Sequence, residues 1–297
     1  MENKQRCGFV AIVGRANVGK STLLNTLLRE KVAIVSKKPQ TTRTSITGIL
    51  TQGDTQYIFM DTPGYHKPKN ALGDYMVKTA VSTLTGADAV LFLVDAAGKP
   101  GKNEVELLEK LKKCDVPVYL IINKVDIADK ERVGRAILEY SPLMKFEDVI
   151  PISALKADGV DIILREVKEH FTEDRFYFPE DMITDQPERQ IAAEVVREKL
   201  LRTLDDEVPH GVAVVIEEFR DSGKMLSIRA EIFCEKASHK GIIIGKNGEM
   251  LKTIGSYARQ DLESFFGCKV YLDLWVKVKK NWRDSVVAAK NFGFTEE

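Results

Sequence analysis

The feature that most restricts what this chain can fold into is the stretch GRANVGKST, which begins at Gly14. It follows an apolar run, Phe9–Val13, and opens a helix-length segment, Ser21–Arg29. A G-x-x-x-x-G-K-[ST] pattern between a strand and a helix is typical of a loop whose backbone N–H groups cradle phosphate oxygens. In that setting we expect Lys20 to reach the β- and γ-phosphates of a nucleotide and Ser21 to ligate Mg²⁺.

The rest of the N-terminal part predicts an α/β domain around this loop. Apolar runs alternate with helix-length segments as far as about residue 170, and several runs are apolar throughout, as strands buried on both faces of a parallel sheet are. The predicted strands are Phe9–Val13, Ser45–Leu50, Tyr57–Met60, Ala89–Val94, Val118–Ile122 and Val149–Ile152. We therefore expect an α/β P-loop domain with a mostly parallel sheet, closed by a helix at Asp158–His170.

The length of 297 residues favours two domains. We place the first at residues 1–172, a linker with Pro179 and Pro187 at 173–190, and a smaller α+β domain at 191–297. The predicted elements of the second domain are a helix at Ile191–Leu204, strands at Val212–Phe219 and Leu226–Cys234, a short helix before Gly245, a helix from Glu249 to Phe265 and a strand at Lys269–Val278.

Composition narrows the class of protein further. Hydrophobic residues make up 44% and charged residues 30%, which is ordinary for a globular chain. The four cysteines form no CxxC pair, and no run reaches the ~18 apolar residues of a membrane span. The N-terminal MENKQRCGF lacks the apolar core of a secretory signal. Net charge is zero, but residues 176–235 carry 7 basic and 14 acidic residues, and residues 236–290 carry 11 and 5. The basic segment could bind a polyanion or be a solvated face.

Three further motifs follow predicted strands, in the order that a guanine nucleotide site requires. Asp61-Thr62-Pro63-Gly64 would hold Mg²⁺ through water at Asp61 and meet the γ-phosphate with the Gly64 N–H. The carboxylate of Asn123-Lys124-Val125-Asp126 would accept two hydrogen bonds from guanine, a donor pattern that adenine lacks. Ser153-Ala154-Leu155 would close the base pocket, with the Ala154 N–H facing guanine O6. Ligands of open α/β sheets bind at these strand ends.

The predicted nucleotide-binding residues are Gly14, Arg15, Ala16, Asn17, Val18, Gly19, Lys20, Ser21, Thr22, Asp61, Thr62, Pro63, Gly64, Asn123, Lys124, Asp126, Ser153, Ala154 and Leu155. No glutamine that could orient a water follows Gly64; Tyr65 and His66 stand there instead, so we expect slow intrinsic hydrolysis.

A second glycine loop, Gly245-Lys246-Asn247-Gly248, matches the GxxG loop of a KH domain. Such a loop packs against a nucleic-acid backbone beside a groove that takes about four unpaired nucleotides. The order α-β-β-α-α-β resembles the type II KH arrangement. The predicted RNA-binding residues are Ile244, Gly245, Lys246, Asn247, Gly248, Lys252, Lys277, Lys279 and Lys280. Trp275 and Trp282 lie among these lysines; Trp275 is equally compatible with the core.

The nucleotide motifs resemble translation-factor-related (TRAFAC) GTPases. SKKPQTTRTSITGI, with GRANVGKS and DTPGYH, resembles the Era, TrmE and double-GTPase branch. The resemblance implies that Thr42 ligates Mg²⁺ with Ser21 and Asp61, with Thr41 as the alternative, and that Lys20, Thr42 and Gly64 take part in hydrolysis. Similarity to TrmE further implies a K⁺ site at Asn17.

The two domains together resemble the Era family of bacterial ribosome-assembly GTPases, and GKNGEMLKTIG with LWVKVKKNW is close to that family's pattern. The resemblance implies Mg²⁺-dependent GTP hydrolysis, binding near the 3′ end of small-subunit ribosomal RNA coupled to the GTP state, action on the pre-30S particle, and a cytoplasmic location with some peripheral attachment to the inner membrane. The alternatives are a TrmE-like tRNA-modification GTPase and an RNA-binding scaffold with a degenerate nucleotide site.

Overall fold

The computed structural model describes residues 5–294, so the outer ends of both predicted domains, residues 1–4 and 295–297, lie outside the described residues. The chain divides into two compact units. The first comprises residues up to 33, 42–68 and 76–185, and the second comprises residues 34–41, 69–75 and 186 onward. Two short segments of the N-terminal half thus belong to the second unit.

The first unit contains a six-stranded sheet in the order β2-β3-β1-β4-β5-β6. Only β2 runs antiparallel to its neighbour, so the prediction of a mostly parallel sheet is confirmed. The strands are β1 (Arg6–Gly14), β2 (Ile46–Gln52), β3 (Thr55–Asp61), β4 (Ala89–Asp95), β5 (Val118–Asn123) and β6 (Val149–Pro151). The helices are α1 (Lys20–Leu28), α2 (Ala71–Ser82), α3 (Lys102–Leu111), α4 (Lys130–Tyr140) and α5 (Val160–Val167).

Alternating residues of the central strand β1 enter two cores, one on each face of the sheet. Val10 and Ile12 pack in one core, and Ala11 and Val13 pack in the other. Burial on both faces explains why β1, β4 and β5 are apolar between their end residues. Their carboxyl ends lie at one edge of the sheet, where Ile12 pairs with Asp61 and Asp95 with Asn123.

Residues 173–184, part of the predicted linker, lie along the first unit. Cys7 and Glu173 form a β-bridge, Ile49 N donates to Ile183 O at 2.9 Å, and Thr184 Oγ1 donates to Thr47 O at 2.7 Å. The following helix begins at Glu188.

The second unit has the predicted element order, with one further helix at its end. Its elements are α6 (Glu188–Thr203), β7 (Ala213–Asp221), β8 (Met225–Cys234), α7 (Ala237–Ile244), α8 (Glu249–Phe266), β9 (Lys269–Val278) and α9 (Val286–Asn291). Strand β8 is central, antiparallel to β7 and parallel to β9. Alternate residues of β8, such as Ile228, Ala230 and Ile232, pack with α6, α7 and α8 into one core. Within residues 5–294, no helix is long and apolar enough to cross a membrane.

Candidate functional site: two glycine loops

The first glycine loop leaves β1 through backbone conformations that glycine tolerates best. Gly14 has φ 149°, and an added Cβ would lie 2.4 Å from Leu93 O. Gly19 has φ 103°, and its Cβ would lie 2.2 Å from Asn123 Nδ2. Asn17, at φ 65°, also has a left-handed conformation, which asparagine adopts more readily than most residues. Positions 14 and 19 therefore require glycine because neighbouring protein atoms leave no room for a Cβ.

Lys20 is buried at the start of α1, and its side chain contacts the backbone of the first glycine loop. Its ammonium donates to Gly14 O at 3.3 Å and to Arg15 O at 3.0 Å. Burial lowers the pKa of Lys20 to about 8, although the nearby Asp61 opposes the shift. The ammonium lies beside the loop where phosphate oxygens are expected, so a bound anion would favour its charged form.

The three predicted metal ligands converge. Ser21 Oγ lies 2.6 Å from Asp61 Oδ2 and 2.8 Å from Thr42 Oγ1, and Thr42 Oγ1 lies 3.3 Å from Asp61 Oδ2. Asp61 Oδ1 is buried without a hydrogen-bond partner in the structure. Burial raises the pKa of Asp61 to about 6, and Lys20 and the two hydroxyl groups offset part of the shift. One unsatisfied carboxylate oxygen beside two hydroxyls is a donor set that suits Mg²⁺. Thr41 Oγ1 instead donates to Lys38 O at 2.7 Å, so the structure favours Thr42 over the alternative.

The segment after β3 packs tightly under the first glycine loop. Thr62 Oγ1 donates to Ile12 O at 2.8 Å, and Tyr65 N donates to Gly14 O at 3.0 Å. An added Cβ on Gly64 would lie 2.7 Å from the Ala16 backbone, so this contact requires glycine. His66 Nδ1 lies 2.8 Å from Gly64 O. Pro63 is buried in the same segment.

Asn123 joins the phosphate loop to the base-binding segments. Its Nδ2 donates to Val18 O at 2.8 Å, and its Oδ1 accepts from Ala154 N at 2.9 Å. The single N–H of Ala154 is thus directed to the buried Asn123 in this structure, and its contact with guanine O6 stays a prediction. Asp126 is exposed and accepts from Ser153 Oγ at 2.7 Å, a hydrogen bond that restricts the orientation of the carboxylate. Leu155 is exposed beside it.

Two acidic residues of this site were not identified from the sequence. Asp95, at the end of β4, accepts from Lys124 Nζ at 2.7 Å. Burial opposes ionisation of Asp95, but the hydrogen bonds from Lys124 and the Ala97 N–H and the charges of Lys124 and Arg15 together outweigh it, so the pKa lies below its ordinary value. Glu104, 2% exposed, lies 3.7 Å from Arg15 and accepts from Tyr140 Oη at 3.0 Å. Asp95 could have been identified from its position at the end of a predicted strand. Nothing in the sequence marked Glu104 as part of the site.

The second glycine loop has a different structure. A short 3₁₀ turn, Lys246–Gly248, joins α7 to α8. Gly245, Asn247 and Gly248 have φ values of 73°, 52° and 80°. A Cβ on Gly245 would lie 2.6 Å from Met250 Cβ, whereas one on Gly248 would have no atom within 4 Å. Gly248 thus presents bare backbone to its surroundings, and Lys246 is exposed next to it.

A groove of about 460 Å³ runs from this loop along α8 and β9. Its lining residues are Gly248, Leu251, Lys252, Gly255, Ser256, Arg259, Leu272 and Leu274. The sequence analysis identified Gly248 and Lys252 among them. The others on α8 follow at helical spacing from Gly248, which was the available signal. Of the three isoleucines before the loop, Ile243 is fully buried and Ile242 is exposed, as a mixture of core and surface residues.

The remaining predicted RNA-binding residues lie apart from this groove. On β9, Lys277 alternates with the groove residues Leu272 and Leu274, so it lies on the opposite face, paired with Glu231. Lys279 lines a separate cavity with Phe233 and Phe292, and Lys280 is exposed in the turn after β9. The structure thus does not place these three lysines on the groove, and RNA binding by them stays a prediction.

The two tryptophans near these lysines differ from each other in burial. Trp282 is fully buried, donates from Nε1 to Gly211 O at 2.9 Å, and packs against Phe292 and Phe294. Trp275 is 57% exposed on the open face of the sheet. Trp282 is therefore a core residue rather than part of an RNA surface.

Comparison with known proteins agrees with both sites. Residues 9–124 match the family model of the 50S ribosome-binding GTPase, and residues 207–283 match that of the KH domain. GTPase Era of Ruminiclostridium cellulolyticum is 52% identical over 290 residues, which cover 97% of each chain. GTPase Era of Clostridium botulinum is 51% identical over 97% of this chain and 98% of its own.

Two solved structures are similar along the same length. A tyrosine-to-alanine variant of Aquifex aeolicus Era bound to GDP·AlF₄⁻ has a TM-score of 0.94 and 42% identity, covering 98% of this chain and 100% of that one. Era in complex with MgGDPNP and nucleotides 1506–1542 of 16S ribosomal RNA gives the same four values. With motifs, fold and relatives in agreement along nearly its whole length, the chain belongs to the Era family of GTPases, and it is a GTP hydrolase with a C-terminal KH domain.

Proposed function

We propose that this GTPase binds small-subunit ribosomal RNA near its 3′ end and assists maturation of the small ribosomal subunit on the pre-30S particle. The observation that carries the proposal is the groove beside Gly248, whose bare backbone and flanking Lys246 suit a single-stranded phosphate backbone. The relative solved with nucleotides 1506–1542 of 16S ribosomal RNA supports the identity of the RNA.

The proposal includes Mg²⁺ at the first glycine loop. Ser21 and Thr42 would ligate the ion directly, and Asp61 would hold it through water, since all three oxygens converge. The ion supplies charge neutralisation on the phosphates. Lys20 would bind phosphate oxygens, and the Asp126 carboxylate would select guanine. The relative bound to MgGDPNP supports this assignment.

We propose that RNA binding and the nucleotide state are coupled. Such coupling is a differential affinity, and it is reciprocal: RNA must tighten GTP by the factor by which GTP tightens RNA. The test is the affinity of a fluorescent RNA with the sequence of the 16S 3′ end, measured with a non-hydrolysable GTP analogue, with GDP and without nucleotide. We expect the tightest binding with the analogue. Equal affinities in all three states would contradict coupling while leaving RNA binding intact.

RNA binding through the second loop has its own test. Lys246→Gln removes one phosphate contact, so we expect weaker RNA binding at low salt and a log–log salt slope shallower by about 0.7, the value per phosphate for single strands. Lys224→Gln is the matched control, because Lys224 is an exposed lysine in another turn of the same unit. An unchanged slope in Lys246→Gln, or the same change in Lys224→Gln, would contradict the assignment.

We also propose a K⁺ site at Asn17. Asn17 is exposed on the phosphate loop in a left-handed conformation, which supports a role at the nucleotide. Exchange of K⁺ for Na⁺ at constant ionic strength should slow GTP hydrolysis in the unmodified protein and have a smaller effect in Asn17→Ala. Equal rates in the two salts would rule the K⁺ site out.

The proposed location is the cytoplasm, with a fraction attached peripherally to the inner face of the cell membrane. Exposed Val286 and Val287, near the exposed Lys290 on α9, support the peripheral fraction. Sedimentation with phosphatidylglycerol vesicles should carry down part of the protein at low salt. Complete recovery in the supernatant would contradict the membrane part of the proposal.

A further inference from the structure

Residues 34–41 lie between the glycine-loop helix α1 and the metal-binding Thr42, yet they belong to the second unit. Within that unit, one side of helix α6 holds this segment at several backbone atoms. At Val35 and Thr41, the atoms that α6 binds are main-chain atoms. The helix therefore fixes the path of the segment rather than the identity of its side chains.

The first end of the segment is held at Val35. Glu198 is fully buried, and its Oε1 accepts from Val35 N at 3.1 Å. Arg202 donates to Val35 O from Nη2 at 2.9 Å and from Nε at 3.1 Å. Arg202 also pairs with Glu198 at 3.0 Å, so both polar groups of one peptide residue are bound by a linked pair. In the middle of the segment, Lys38 donates to Leu204 O, just after α6.

The other end is held at Thr41 by Arg197. The guanidinium of Arg197 is 2% exposed, and its Nη2 donates to Thr41 O. Glu194 orients it by accepting from Nε at 2.7 Å and from Nη2 at 2.5 Å. A bidentate carboxylate of this kind fixes the plane of a guanidinium. Arg197 is thus a rigid donor aimed at one carbonyl.

The Thr41 carbonyl is part of the peptide group that joins Thr41 to Thr42. Because a peptide is planar, a hydrogen bond that fixes Thr41 O also restricts the orientation of the Thr42 N and Cα. The Thr42 hydroxyl lies 2.8 Å from Ser21 Oγ and 3.3 Å from Asp61 Oδ2, in the predicted metal site. The carbonyl that Arg197 holds is therefore joined to Thr42 through a single peptide group.

We propose that Arg197 is a positioning residue for GTP hydrolysis: it holds the Thr41 carbonyl and so places the Thr42 hydroxyl to ligate Mg²⁺. The inference rests on the proposed role of Thr42. In GTPases this kind of segment is ordered by the γ-phosphate and its Mg²⁺, and released after hydrolysis. Arg197 then lowers the cost of ordering it in the triphosphate state and contributes little in the diphosphate state.

The test compares affinities for fluorescent GDPNP and GDP in the presence of Mg²⁺. Arg197→Met should weaken GDPNP about tenfold, as loss of a charged hydrogen bond does, and change GDP by less than about twofold. It should also leave trypsin cleavage after Lys37 and Lys38 rapid with GDPNP bound, where the unmodified protein is protected. Arg197→Lys keeps a donor and should recover part of both effects.

Arg189→Met is the matched control, because Arg189 lies on the same helix but donates to Ile216 O, away from the segment. It should change neither measurement. Arg202→Met removes the hydrogen bonds to Val35 O at the other end of the segment, and because Arg202 is partly exposed, the change leaves no cavity in the core. It should increase trypsin cleavage after Lys37, with a smaller change in GDPNP affinity than Arg197→Met.

Two outcomes would overturn the inference. One is unchanged GDPNP affinity and protection in Arg197→Met; the other is equal weakening of GDPNP and GDP, which indicates a general effect on the fold. Thr42→Ala separates this from the proposed function. If neither Arg197→Met nor Thr42→Ala changes the preference for GDPNP over GDP, the assignment of Thr42 as a metal ligand is wrong. If Thr42→Ala weakens GDPNP binding selectively and Arg197→Met does not, only the role of Arg197 is refuted.

Discussion

The two glycine loops of this chain differ in how closely the protein surrounds their glycines. In the first loop, Gly14 and Gly19 are surrounded by protein, and an added Cβ would collide with Leu93 O or the Asn123 side chain. In the second, Gly245 is crowded in the same way by Met250, but Gly248 faces open space. The conformation of the first loop is therefore fixed by packing against the rest of the protein, as suits a small ligand of fixed form. The second is shaped for contact with a partner's backbone, which must approach from outside.

The largest effect should come from the buried cation of the first loop. Lys20→Ala removes the ammonium beside Gly14 O and Arg15 O, where we expect phosphate oxygens, so GTP and GDP affinity should fall on the order of a thousandfold. Titration calorimetry measures this directly. If Lys246→Gln at the second loop lowered GTP affinity as much, the assignment of separate polyanions to the two loops would fail.

The next largest effect should come from Asp126, the residue that we expect to bind the guanine base. Asp126→Asn replaces an acceptor-only carboxylate by an amide that can pair with xanthine. We expect GTP affinity to fall by about 3 kcal/mol, more than a hundredfold, and XTP affinity to rise. Competition between the two nucleotides is the measurement. Retention of tight GTP binding would show that Asp126 does not read the base.

A matched pair of substitutions tests the structural contrast itself. Gly14→Ala puts a Cβ against Leu93 O and should lower the free energy of unfolding by about 3 kcal/mol or more. Gly248→Ala has no colliding atom and only a left-handed φ, so the loss should be about 1 kcal/mol. Urea denaturation without nucleotide or RNA compares the two. Equal losses would show that both loops are shaped by internal packing.

The smallest effect should be at His66, which follows the first site. Its ring contacts Gly64 O at 2.8 Å, and nothing in the sequence supplies a water-orienting glutamine there. His66→Ala should therefore change the hydrolysis rate by no more than about threefold, or less than 1 kcal/mol. A hundredfold slower single-turnover rate at unchanged GTP affinity would make His66 catalytic.

Most of the nucleotide site could be predicted because its motifs occupy the ends of parallel strands, whose positions follow from the order of the chain. Asp61, Asn123 and Asp126 needed only that rule. The direction of the Ala154 N–H could not be predicted, because it depends on how the buried Asn123 amide finds an acceptor and a donor.

The second unit was harder to predict at residue level. The alternation along β9 places Lys277 on the face opposite Leu272 and Leu274, but nothing in the sequence showed that the groove lies on the face of these two leucines. Trp282 is buried because Phe292 and Phe294, at the far C-terminal end, pack against it. The assignment of residues 34–41 to the second unit rests likewise on partners that are distant in sequence.

That distance has a consequence for folding during synthesis. Arg197 follows Thr41 by 156 residues, and Arg202 follows Val35 by 167. At the usual elongation rates of about 5–20 residues per second, the nascent chain waits roughly 10 to 30 s between the two partners. The strands and glycine loop of the first unit can assemble in that interval, while residues 34–41 have no helix to hold them. A nascent chain can thus bind its nucleotide before Arg197 is available, and if Arg197 acts as we propose, hydrolysis in that interval is slower than in the finished protein.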